Sequence, residues 1–449
     1  MSADSTTPRY IGRRIVARVI IFALTLGMVA AVASMAFAIR SDKITPFAHV
    51  EREPFNDAYD PVALVQTGRP PNSLARDLPE PDPAIHCIRV ERDSITLLAG
   101  GTEVKEIPGT ATTIPQLAAM VDDGDWLTDE GGGSYVARAA ITLGPQTQFA
   151  VAAPDVDTLY LAHMNSVFLG TRGGELEFEG VTITTRDVGA EPEAYRPFIV
   201  ASHDATMNAT DTTFSALGWD WNSSYGVSWS HGTTGTVQDS VFEESFIGAY
   251  TNAAVGVQYL DSVFRNNALY GLDPHTYSTG LVVDGVEAYG NRAHGIIFSD
   301  HVTDSVVRNS ISHDNGENGI MMDERSTGNL ISNNTVYDNT GDGLVTADSP
   351  GTRFENNTVR DNRVGVRIDP SDTATTQFTD NLITDNRLAS QHALLSASDT
   401  VTENGGQWSM SRLSLIWSVY LLIVALFAVA SAASVLREER RTAHFRVAT

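Results

Sequence analysis

A single cysteine, Cys87, in 449 residues rules out an internal disulfide, so the fold must be held by packing alone. Lysine is almost missing: Lys43 and Lys105 are the only two. Of the 55 acids three lie outside residues 41–410, and of the 30 basic residues ten do, which leaves that stretch with a net charge of −32. A nucleic-acid partner is excluded on this balance, because it needs a basic footprint. The same charge opposes long-range attraction of any anionic polymer unless salt or local cations screen it. Long helical apolar stripes are also missing from the middle of the chain.

What is present is a repeat. Glycines recur at 226, 248, 271, 295, 319, 343 and 365, and asparagines at 267, 291, 315, 339, 362 and 386. The period of 22–24 residues marks a solenoid of stacked coils. Each coil carries short alternating runs rich in Val, Ile, Phe and Thr, too short for helices and suited to a pleated surface. The fold class expected is therefore all-β, a right-handed parallel β-helix with two or three strands per coil. Leu272, Ile296, Ile320 and Leu344 form one inward stack in this register, and the asparagines bond from coil to coil at turns.

Two runs are long enough to cross a bilayer, Val19–Ile39 and Leu413–Leu436, each flanked by arginines. The expected organisation is a cytoplasmic stretch 1–18, a membrane helix 19–39, a Pro/Asp-rich linker 40–85, a small cap 86–129 and the β-helix 130–400. A second membrane helix 413–436 and a cytoplasmic tail 437–449 follow, which puts the β-helix outside the cytoplasm and the bilayer among the partners. The alternative for the first run is a signal peptide cleaved after Ala36–Ala38.

One coil differs from the rest: Tyr270-Gly271-Leu272-Asp273-Pro274-His275-Thr276-Tyr277. With Leu272 inward, alternation throws Asp273 and His275 outward on one face. Asp273 then stacks over Ile297, Met321 and Val345, and His275 over Ser299, Asp323 and Ala347. Pro274 removes a ladder donor that a β-helix has no reason to give up. A place where local repeat rules fail is a candidate functional site.

This coil, with "HGIIFS" downstream and "YGVS" upstream, resembles the periplasmic-type mannuronan C5-epimerases, over roughly Arg196–Asp385. The resemblance implies a right-handed β-helix enzyme that inverts C5 of a uronate within a polysaccharide. Removing the proton α to a carboxylate needs a base, a proton donor on the other face and a group that neutralises the carboxylate. The resemblance makes His275 the base, with Asp273 orienting it or binding substrate; without the donor the same carbanion gives β-elimination, a lyase. The departures are Thr276, where the family has Asp, and Asp300, near where the family has its neutralising Arg. Arg292 and Arg325 are the candidate replacements, and His294 lines the same groove. Substrate contacts are expected from Tyr270, Tyr277, Ser299, Asp323, Trp219 and Trp221. No metal or cofactor is expected, the alternative being a Ca²⁺ ion bridging Asp300, Asp323 and Glu324. The partner is a uronate-type polysaccharide or a cell-surface glycan, and the rival reading is a β-helix scaffold that binds such a glycan without chemistry.

Overall fold

The computed structural model describes residues 60–71, 81–164, 166–186, 195–221 and 223–402. From Ala140–Leu143 to Leu388–Gln391 the chain winds through three sheets in rotation, one strand per sheet per coil. Sheet A has 14 strands, sheet B 10 and sheet C 13. From Ala140–Leu143 onward every pairing is parallel and joins equivalent residues of successive coils. The result is a β-solenoid of about ten coils.

Register follows the repeat. Leu272 pairs with Ile296, Ile296 with Ile320 and Ile320 with Leu344, and all four are fully buried in the core. Beside them Phe214, Phe242 and Phe264 stack from coil to coil, with ring centroids 4.9 and 4.8 Å apart. Full burial of each such side chain is worth about 1.5–3 kcal/mol. The asparagine series lies inside the wall. The Nδ2 of Asn267, Asn291, Asn315, Asn339 and Asn362 each donates to the Oδ1 of the next asparagine at 2.9–3.1 Å. Each Oδ1 also accepts the preceding asparagine's backbone N–H, so a buried amide is satisfied on both sides.

The open N-terminal end of the core is closed by antiparallel strands His86–Val90, Ser94–Ala99 and Thr102–Pro108 and by a helix, α2, at Ile114–Val121. Ile114, Leu117 and Val121 of that helix are fully buried in the core. A shorter helix, α1 (Pro61–Gln66), is capped by Asp60, whose carboxylate accepts the Val62 N–H at 2.9 Å. Its Val62 and Val65 cover the outer face of sheet A at the first coils, against Phe168, Phe198 and Val200. Gly170 permits this approach, since a Cβ there would stand 2.9 Å from Val62 Cγ2.

The expected membrane helices are corrected here. Both runs, 19–39 and 413–436, and the flanking cytoplasmic stretches lie outside the described residues. Among the described residues no helix is long and apolar enough to cross a membrane. The two helices seen have six and eight residues, about 9 and 12 Å at 1.5 Å per residue, against a hydrocarbon core of about 30 Å. The described fold is an all-β right-handed solenoid.

Candidate functional site

The strand Leu272–His275 belongs to sheet A and is buried throughout. Its register sets Asp273 beside Tyr250 and His275 beside Asn252 on the preceding coil, with Ser299 beside His275 on the following one. N–H groups here donate to the following coil, as Leu272 does to Gly295 O at 3.0 Å and Thr276 to Ser299 O at 3.1 Å. Pro274 has no N–H to give. The ladder to the next strand accordingly shrinks to Leu272–Ile296 and an isolated His275–Ser299 bridge. The loss of pairing falls where Asp273 and His275 leave the sheet on the same outer face.

Asp273 is wholly buried and His275 is 8% exposed. The His275 ring lies 5.6 Å from that of Tyr250, and its Nδ1 is 2.6 Å from Thr276 Oγ1. Thr276 and Tyr277 both have positive φ, 35° and 56°. A β-branched residue in that region is strained, and such strain collects at functional sites. The turn recurs one coil on at Asp300 and His301 and again at Glu324 and Arg325.

His294 enters from the next coil, its ring flat on Tyr270 at 5.1 Å and 4°. Its Nδ1 accepts the Asn318 N–H at 3.2 Å, so Nε2 carries the proton and faces Glu317 Oε2 at 3.4 Å. Burial first, then the Arg367 charge, lower the His294 pKa to about 3. Burial raises that of Glu317. The contact is therefore a neutral imidazole near an acid rather than an ion pair, and both ring nitrogens are engaged. Tyr270 spans two outer apolar clusters, one of Tyr225, Ile247, Tyr250, Leu269 and Ala293, the other of Ile297, Met321 and Val345.

The remaining sequence candidates are spread more widely. Tyr277 is 58% exposed and stacks on His301 at 4.5 Å, and His301 Nδ1 lies 2.7 Å from Asp300. Ser299 and Asp323 are buried in the His275 column, and Asp323 accepts the Glu324 N–H at 3.0 Å. Arg325 is exposed in its turn with Nε 3.6 Å from Asp348. Arg292 is exposed ahead of His294. Trp219 and Trp221 lie half-buried in the segment leading into strand Val227–Ser230, stacked on each other at 6.1 Å, with Trp219 also against Tyr195. Asp300 turns to His301 rather than to Asp323 and Glu324. Among the described residues no three His, Cys, Asp or Glu side chains gather as a metal site.

Sequence reasoning missed one group on this face, the buried Asp342 held by Arg363 and Arg367. Their spacing, Asp342 to Arg363 one residue short of a coil, was the signal available.

Stacked coils of this geometry define a right-handed parallel β-helix, and the comparisons agree on that fold. The family model for a right handed beta helix region matches residues 202–327 and 276–405. The chain is similar to the periplasmic-type alginate epimerases. It is 31% identical over 230 residues to a mannuronan C5-epimerase of Pseudomonas fluorescens, covering 44% of this chain and 43% of that one. It is 30% identical over 197 residues to the mannuronan C5-epimerase AlgG of Azotobacter vinelandii, covering 40% and 37%. The chain thus spans less than half the length of these curated relatives. The crystal structure of the periplasmic alginate epimerase AlgG superposes with a TM-score of 0.58 at 24% identity, covering 63% of this chain and 70% of that one, which shows the shared fold.

Proposed function

We propose that the chain acts outside the cytoplasm on a uronate-containing polysaccharide, bound along the outer face of sheet A, as a C5-epimerase or the related lyase. The observation that carries this reading is the Asp273–Pro274–His275 strand. An acid and a histidine are buried side by side on the outer face, at the one place where the ladder loses its donor. The similarity to mannuronan C5-epimerases supports the substrate class.

In this reading His275 takes the C5 proton. In this tautomer Nδ1 donates to Thr276 Oγ1, 2.6 Å away, and Nε2 is the atom that takes the proton. In this reading Thr276 holds the ring in place through its hydroxyl. Asp273, buried at the floor, binds or orients the sugar. Tyr270, held flat by His294, returns a proton from the other side. Charge building on the substrate carboxylate is met by Arg325 or Arg292. Arg325 is held only by an exposed, long contact to Asp348, so redirecting it costs about 1 kcal/mol or less.

The test is proton NMR of polymannuronate incubated with the purified full chain. New guluronate-type anomeric signals establish an epimerase and vinylic signals a lyase. An unchanged polymer that still binds the protein would replace this reading with a non-catalytic glycan scaffold.

A further inference from the structure

The outer column of sheet A that holds Asp273 runs on through Ile297, Met321 and Val345 to Arg367 and then Gln391. With about 4.8 Å between coils, Arg367 stands about 19 Å from Asp273. The three residues between form an apolar strip. In the other direction the same column passes Tyr250 and Ser228 to Val200, which α1 covers. A polymer lying over His275 therefore extends away from the end that α1 covers, toward Arg367.

At that end Asp342 is fully buried, with its backbone N–H donated to Asn318 Oδ1 at 2.9 Å. Arg363 grips its carboxylate through Nε at 3.0 Å and Nη2 at 3.1 Å, and Arg367 through Nε. Two guanidinium groups share one buried acid, and about a third of each arginine side chain remains exposed. Among the described residues, no further hydrogen-bond partner takes Arg363 Nη1 or the Nη atoms of Arg367. Asp369 also feels Arg367, but its pKa is lowered chiefly by hydrogen bonds from Ser371. Planar guanidinium forks match a carboxylate in two-point geometry. A surface as acidic as this one repels a polyanion unless local cations meet it.

We infer that Arg363 and Arg367, clamped by Asp342, form a carboxylate-binding subsite for the same polymer chain, four coils from His275. This rests on the proposed function, and it makes the substrate a run of several uronate residues.

The test compares the full chain with Arg363→Gln, Arg367→Gln and the charge-keeping Arg363→Lys. Turnover is measured on long polymannuronate and on di- and trimannuronate, which are too short to span the strip. Binding of a mannuronate decamer is measured by calorimetry in a His275→Ala background. The Gln variants should raise KM for the long polymer about tenfold while kcat and the short substrates change less than twofold, and Arg363→Lys should recover part of the affinity. Decamer binding should weaken by a similar factor and become less dependent on salt. Equal loss on long and short substrates, or an unchanged KM with an unchanged melting temperature, would overturn the subsite. Arginine-dependent decamer binding without turnover on any uronan would keep the subsite and remove the enzymatic reading. Turnover with arginine-independent binding would do the reverse.

Discussion

His294 accepts the backbone N–H of Asn318 at its Nδ1, 3.2 Å away, and this contact decides what the histidine can do. With Nδ1 occupied and Nε2 facing Glu317, the ring has no lone pair to offer substrate. In the proposed reading it supports Tyr270, on which its ring lies flat.

His294 also makes the fold sensitive to acid. Its folded pKa is lowered to about 3 from an ordinary value near 6.5. Between these values the unfolded chain binds the extra proton. Its stabilising effect is therefore complete above pH 6.5 and is lost as pH falls toward 3, by at most about 1.4 kcal/mol per pH unit. His294→Phe keeps the stack but orphans the Asn318 N–H, so urea melts at pH 7 should show a loss of about 1–3 kcal/mol. The decline from pH 6.5 to 4 should be shallower in the variant than in the wild type. Equal slopes would show that His294 does not carry the effect.

Thr276 should matter for rate rather than for binding. Thr276→Val removes the Oγ1 that lies 2.6 Å from His275 Nδ1 while keeping the side-chain shape. A drop in kcat of about tenfold to a hundredfold is expected, with KM changed less than threefold. A kcat that stays within twofold would show that the imidazole is held by other groups.

The asparagine ladder should be worth more than one hydrogen bond per residue. Asn315→Ala removes donors to Asn339 Oδ1, Ala288 O and Ser312 Oγ, and strands the Asn291 amide that donates to it. The cost should be roughly 2–4 kcal/mol. Thermal unfolding followed by circular dichroism should show it, with broadening if neighbouring coils uncouple.

Helix α1 is seated through Gly170. A Gly170→Val side chain would collide with Val62 and Phe168, and should lift α1 and open the pocket that holds Cys87. In the wild type burial pushes the Cys87 thiol up to about 12, so it should resist maleimide at pH 8. The variant should label readily at the same pH. A variant that stays unreactive would show that α1 contributes little to covering the thiol.

The sequence made the solenoid legible because stacking converts a linear period into contact. Residues one repeat apart touch, so Leu272 could be paired with Ile296, and Asn291 with Asn315, by counting. Pro274 could be read as a defect for the same reason. Other features were hidden. That His294 faces a backbone amide depends on turn geometry, and α1 lies in a proline-rich stretch where composition suggested only a linker. Asp342 and its two arginines went unnoticed because a salt bridge between coils has no apolar pattern to reveal it. The flanking apolar runs were read as membrane helices from length and arginine flanks alone, and no described helix bears that out.

The most direct test of the central claim, that His275 removes the C5 proton of a bound uronate, is deuterium exchange into polymannuronate in D₂O. The wild type should introduce deuterium at C5, and His275→Ala, with an unchanged melting temperature, should introduce none. Exchange at the wild-type rate in the variant would contradict the account.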